Sequence, residues 1–239
     1  MFNFFKKKKP PTATPPASFA PPSFAQAGRA QYSREQILPR VKHLNFLEAL
    51  KEVMARCEQA GGDPTAQAPV VRPLVGDLLV SYSFDTPTQF ISVSNQAMQE
   101  LGLTLEELDR IAVENLWQAL GENIAIQDLV YLEAVRTGNN LEACALLLPE
   151  LWNQLANRYQ GAPIVAVPDR NTIYSMDSGR SVTVEDSTLS APQILDLMCD
   201  TALRLKADAT VHGLSDGIFT WRDGTWHVIG TLDDHAEAL

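Results

Sequence analysis

Long apolar runs are missing from this 239-residue chain. A membrane-spanning helix needs about 18 or more such residues in a row, so none is expected. Cysteine is scarce: Cys57, Cys144 and Cys199 stand far apart. They form neither the CxxC pair nor the His–Cys cluster of a zinc or redox centre, and we read them as reduced core thiols. The four histidines show no HExxH spacing. There is no GxSxG elbow, no GxxxxGK[ST] phosphate loop and no GxGxxG after a strand. No catalytic residue, metal ligand set or cofactor is therefore assigned. His212, His227 and His235 lie near Asp216, Asp233 and Asp234, but turns and a polar terminus account for them. The acid pairs Glu106-Glu107, Glu185-Asp186 and Asp233-Asp234 read as solvated.

Positive charge is also in short supply outside the first thirty residues. Net charge is −10. Five of the nineteen basic residues and none of the twenty-nine acids fall in residues 1–30, which leaves the remainder at −15. Such a body repels phosphate backbones, so no nucleic-acid partner is expected, whereas a protein partner with a basic surface suits it.

Six of the fifteen prolines lie in residues 1–30, with no apolar periodicity. Segments of this kind cannot offset their ordering entropy, and a disordered tail is expected. It reads as a linker or as a docking peptide with Phe19 and Phe24 as anchors. Phe2, Phe4 and Phe5 beside Lys6–Lys9 allow at most weak membrane-surface contact. Lysines that follow the first residues and lead into Pro10-Pro11 do not make a signal peptide. With the reduced cysteines, this gives a cytoplasmic expectation.

The expected domains are the tail at 1–30, a helical N-terminal segment at 31–66 packing on the body, and an α+β body at 70–232. Ser33 and Gln36 form a capping-box pattern. Leu44, Leu47, Leu50, Val53 and Met54 then form a helical stripe running to about Glu58. A strand is expected over 75–84, returning over 89–93 after Asp85-Thr86-Pro87. A short helix over 95–101 follows, then a longer one that Thr104 and Glu107 cap. Asn115, on the apolar side of that helix, is expected to tie it to a strand's backbone.

Residues 141–148 read as a strand and 150–159 as a helix. Residues 163–167 and 172–176 pair around Pro168-Asp169-Arg170-Asn171, and 177–188 reads as a loop. A last long helix starts at Ser190. Asp223-Gly224 then sets a hairpin with Trp221 opposite Trp226 and Phe219 opposite Val228. Hairpins without a βαβ rhythm argue an α+β fold with a largely antiparallel sheet and several packed helices.

The block Leu79–Phe84, Gln89–Val93 and Leu105–Leu116, with Ala112-Val113-Glu114-Asn115-Leu116, resembles the centre of the bacterial YtpQ-like family of uncharacterised proteins. Ile164-Val165-Ala166-Val167-Pro168-Asp169-Arg170 is similar to that family's valine-alanine strand closed by proline. The resemblance covers roughly residues 72–230. It implies a fold and a cytoplasmic bacterial setting, and brings no catalytic residues.

Candidate binding residues are Asp77, Asp169 and Arg170, where two hairpins border a cleft, with Trp221 and Trp226 on the last hairpin. The Asp and Arg residues suit acid–base or anion-binding roles; turn formation also accounts for Asp169. The tryptophans read as core or as an exposed partner-binding patch. The leading expectation is a non-enzymatic protein–protein interaction module of adaptor or immunity type, of no assigned oligomeric state. The alternatives are an enzyme, such as a hydrolase using the hairpin-turn Asp and Arg residues, or a small-molecule binding module.

Overall fold

Residues 32–86, 88–209 and 213–235 are described by the structure, a computed structural model. The expectations for residues 1–30 lie outside the described residues. In chain order, β1 is Ile37–His43, α1 Phe46–Gln59, α2 Pro64–Gln67, β2 Val71–Val75, β3 Leu78–Asp85 and β4 Phe90–Ser92. Then come α3 Asn95–Glu100, α4 Leu105–Leu120, β5 Ala125–Asp128, β6 Glu133–Arg136, α5 Pro149–Arg158, β7 Pro163–Asp169 and β8 Thr172–Asp177. The last elements are β9 Val182–Val184, β10 Ser187–Leu189, α6 Ala191–Asp208, β11 Gly217–Arg222 and β12 Thr225–Thr231.

Two larger sheets organise the body, with β9 and β10 as a separate small hairpin. One sheet has the order β1-β3-β2, with β4 also on β3; the other runs β12-β11-β7-β8-β6-β5. Every pairing among the described strands is antiparallel. The fold is α+β, as the hairpin-rich sequence implies. No described helix is long and apolar enough to cross a membrane.

The central strands of the six-stranded sheet are buried on both faces. Along β7, Val165 and Val167 enter one core while Ile164 and Ala166 enter a second. A strand covered on both sides reads as a continuous apolar run, as Pro163–Val167 does. The second core is closed by α6 through Ile194, Leu195, Met198, Cys199 and Ala202. The first is shared by α4, α5, the 3-10 turn Glu142–Leu147 and the inner face of the four-stranded sheet.

On that inner face, Leu78, Val80, Tyr82 and Phe84 point into the core. The helix α4 packs on them through Leu108, Ala112, Leu116 and Leu120. Polar bonds fix its position. Arg72 grips both Asp109 oxygens at 2.9 and 3.0 Å, and the Tyr82 hydroxyl donates to Asp109 at 2.7 Å. Asn115 donates from Nδ2 to the carbonyls of Arg34 at 2.7 Å and Ile37 at 2.9 Å, so it does tie its helix to a strand.

Two segments differ from the sequence reading. Residues 37–43 form β1, not helix, and pair along β3 from Ile37 opposite Phe84 to His43 opposite Leu78. The capping pattern at Ser33 serves only the 3-10 turn Arg34–Gln36, where the Ser33 N–H donates to Gln36 at 3.0 Å. Pro39 fits because β1 is an edge strand. Its carbonyl faces outward and accepts the Cys144 thiol at 3.3 Å, and the nitrogen on that side needs no ladder bond. Residues 142–147 are a buried 3-10 turn, not a strand. An apolar run covered on all sides has no period by which to tell the two apart.

Smaller differences concern the single strand expected over 75–84, which is two, β2 and β3, joined by a turn at Gly76 and Asp77, and the β9–β10 hairpin inside the loop expected over 177–188. The closing hairpin forms as the Asp223-Gly224 signal implies. Both turn residues have positive φ, 52° and 75°, as the mirror-image turn requires. Trp221 stands opposite Trp226, and Phe219 opposite Val228.

Candidate functional site

Asp77 lies in the turn between β2 and β3, after Gly76, and not within a strand. Its carboxylate accepts from the Ser215 hydroxyl at 2.5 Å and the Asp216 N–H at 3.1 Å, with His43 Nε2 3.4 Å away. The Asn45 N–H donates to His43 Nδ1 at 3.0 Å, which leaves Nε2 to face Asp77 with the ring's proton. Ser215 is fully buried and bonded to Asp77, not to the imidazole. A serine nucleophile needs the reverse arrangement, with the base on its hydroxyl. This trio therefore fastens β1, the β2–β3 turn and the start of β11.

Asp169 is buried at the β7–β8 turn, where it accepts the Asn171 N–H at 2.7 Å and pairs by a bridge to Gly213. Arg170 is exposed, and its carbonyl accepts the Ala143 N–H at 3.1 Å. Asp77 and Asp169 thus border the same segment, Gly213–Asp216, while both are occupied in holding backbone.

Trp221 is buried, and Trp226 is half-buried against the first core. Trp226 sits edge-on to Trp152 at 4.8 Å and to Trp221 at 5.0 Å between ring centroids. The N–H groups are satisfied inside the protein: Trp221 on Asn153 at 2.9 Å, Trp226 on the Leu146 carbonyl at 2.9 Å and Trp152 on the Ala145 carbonyl at 2.8 Å. The cluster joins the hairpin to α5 and the 3-10 turn.

None of these five residues lines the cleft that the structure does form. That cleft, about 270 Å³, lies where the end of α5 meets β6 and β8, among Glu133, Arg158, Tyr159, Gln160, Asp177 and Arg180. Arg158 and the Tyr159 hydroxyl both donate to Glu133 Oε2, the latter at 2.6 Å, with fully buried Ser175 3.1 Å behind the phenol. Burial and the bond to the Glu133 carboxylate push the Tyr159 phenol well above its ordinary value. Asp177 accepts three backbone N–H groups, from Gln160, Gly161 and Gly179, at 2.7 to 2.9 Å. The Arg180 side chain forms no ion pair among the described residues. These residues come from three separated segments, each unremarkable in sequence; only the pairing of β6 with β8 assembles them.

The helix α1 presents another surface. Its stripe of Phe46, Leu47, Leu50, Val53 and Met54 is at most half-buried, and Cys57 alone is buried. Leu47 is 36% exposed, and Leu44 just before the helix is 43% exposed. The expected apolar periodicity is present and partly covered, with Leu44 and Leu47 left exposed. The thiols of Cys57, Cys144 and Cys199 are free and buried; burial and nearby acids raise Cys199 to about 12, which keeps it unreactive. His235 bonds Asp196 at 2.9 Å, and no group of three or more potential metal ligands occurs among the described residues.

No protein-family model, no curated protein and no solved structure matches this chain.

Proposed function

We propose that the body is a non-enzymatic interaction module that docks a protein partner on α1. The observation that carries this is the pair of exposed leucines, Leu44 and Leu47, at the start of a 14-residue helix whose stripe of Phe46, Leu50, Val53 and Met54 is only partly buried. A surface helix of a self-sufficient domain normally turns such a stripe inward. The partner is taken to be a segment with an apolar face and basic flanks. It would complement a body in which acids outnumber bases by 29 to 14. That Asp77 is occupied by Ser215 and the Asp216 N–H, with His43 beside it, and Asp169 by backbone, favours binding over catalysis in this reading. Kinship with the YtpQ-like family and a cytoplasmic setting belong to the same proposal; the three free thiols support the latter.

The test places a photo-crosslinking residue at position 47 and identifies the captured protein. That protein, purified, should bind the wild type in titration and bind Leu47→Asp at least about tenfold more weakly, the effect of losing about 1.4 kcal/mol. The melting curve of the variant should be unchanged. Equal affinity for both proteins would falsify the reading.

A second reading, small-molecule binding, draws support from the cleft at Glu133, where Arg158 and Arg180 leave donors facing a space of ligand size.

A further inference from the structure

The outer face of the four-stranded sheet carries charge opposite to that of the body. Arg40 and Lys42 are two apart on β1 and so share one face of it. Their neighbours on that face of β3 are Leu79, Ser81 and Ser83, which are themselves buried, and Phe46 of α1 lies beside Lys42. Arg170 is brought towards the same strand by the 3-10 turn. Ala143 donates to the Arg170 carbonyl at 3.1 Å, and the next residue, Cys144, donates its thiol to Pro39 at 3.3 Å. Consecutive residues thus hold the β7–β8 turn on one side and β1 on the other.

The charges do not balance. Arg40 donates from Nε to Ser83 at 3.2 Å and lies 3.7 Å from Asp85, with the Phe90 ring 4.1 Å from its guanidinium carbon. Its Nη2 is buried and has no hydrogen-bond acceptor. Lys42, half-buried, has the Phe46 ring 5.6 Å from Nζ and no carboxylate within ion-pair reach among the described residues. Arg170 likewise has no such pair among them. Burial and the neighbouring Arg40 and Arg170 charges push the Lys42 ammonium below its ordinary value, and burial also lowers Arg40. Asp85 is the one carboxylate within ion-pair reach of these three cations among the described residues, so Lys42 and Arg170 have no direct counter-ion on a rigid strand and a tight turn.

We propose that Arg40, Lys42 and Arg170 form a binding site for a dianionic phosphate group carried by a small molecule. Guanidinium and ammonium groups are the donors that phosphate oxygens take, and a dianion matches the two cations that lack a direct partner. A bound phosphate relieves the repulsion that the ligand-free arrangement stores. The site touches the α1 surface only where Lys42 lies beside Phe46, and Arg170→Gln leaves that contact in place, so a failure here is distinguishable from a failure of the α1 reading.

The probe is inorganic phosphate at pH 7.5, titrated by calorimetry and by thermal melting, with sodium chloride and sodium acetate at matched ionic strength. The wild type is expected to bind phosphate saturably, with a melting temperature that climbs with phosphate and not with acetate or chloride. Lys42→Gln and, separately, Arg170→Gln should each weaken that binding at least about tenfold, equivalent to about 1.4 kcal/mol. Arg170 is exposed, so its variant keeps the test alive if Lys42→Gln folds poorly. Saturable phosphate binding lost in the Arg170 variant supports the site. A phosphate response unchanged in that variant overturns it. So does equal protection by acetate, or no saturable binding at millimolar phosphate.

Discussion

The two large sheets solve burial differently. The six-stranded sheet is covered on both faces, so β7 and β11 send alternate residues into two cores: Phe219 and Trp221 to one, Ile218 to the other. The four-stranded sheet packs its inner face on α4 and the shared core, and its far face carries Arg40 and Lys42 beside the buried Ser81 and Ser83. Arg40 and Lys42 stay partly exposed on edge strand β1, so water solvates their charges; a position packed against α6 would not allow this. Stability therefore resides mainly in the shared core, while the edge of the four-stranded sheet keeps two cations within reach of solvent.

That contrast is most open to attack at Phe219, which is fully buried in the shared core. Phe219→Ala should cost about 3–5 kcal/mol, whereas Ser81→Ala, which gives up only a long hydroxyl bond to the Arg40 carbonyl, should cost about 0.5–1.5 kcal/mol. Urea unfolding of both variants checks this, and comparable losses would mean that the outer face is packed as tightly as the core.

Next in size is Asn115→Leu. It strips the amide from the Arg34 and Ile37 carbonyls and should cost about 1–3 kcal/mol in the same measurement. A neutral result would detach α4 from the account of how β1 is held.

Gly76 tests the seam between the sheets. It has φ of 54°, and an added Cβ would stand 3.1 Å from both Phe219 and Val228. Gly76→Ala should lose about 1–2 kcal/mol through left-handed strain and crowding. A gain in melting temperature would show that the seam is loose.

The smallest expected effect is at Lys42, and its sign is the informative part. A lysine whose folded value lies below its ordinary one releases its proton sooner in the folded state than in the unfolded chain. Between the lowered value and 10.5 the unfolded state binds more protons, so this group makes stability rise with pH there. Lys42→Met should remove that rise and leave the variant at least as stable at pH 7. The difference between the two pH–stability curves isolates Lys42 from the tyrosines, whose raised values act in the opposite direction above pH 10. A less stable variant with an unchanged pH slope would mean that Lys42 has a counter-ion.

How much of this was legible depended on how local each signal is. Asp223-Gly224 fixed the closing hairpin because a two-residue turn with positive φ at both positions admits one register. Thr104 with Glu107, and Ser190 with Gln193, marked helix starts because the capping bonds span three residues. Asn115 showed itself as an amide on an apolar face. By contrast, Ile37–His43 borrowed its structure from β3, forty residues away, and its alternating burial looked in sequence like the lead-in to a helical stripe. The run Leu141–Leu148 lost its period because everything around it is apolar.

Local chemistry alone therefore determined the α+β class, the caps, the final hairpin and the acidic balance of the body, since each follows from neighbouring residues or from composition. Only the tertiary structure decided that the Glu133 cleft exists, that Asp77 meets Ser215, and that Arg170 stands beside β1. Those groups are far apart along the chain, and their meeting depends on which strands pair and where the 3-10 turn docks. Pairing energies are spread over whole strands and cores, so no single residue announces the partner it will meet.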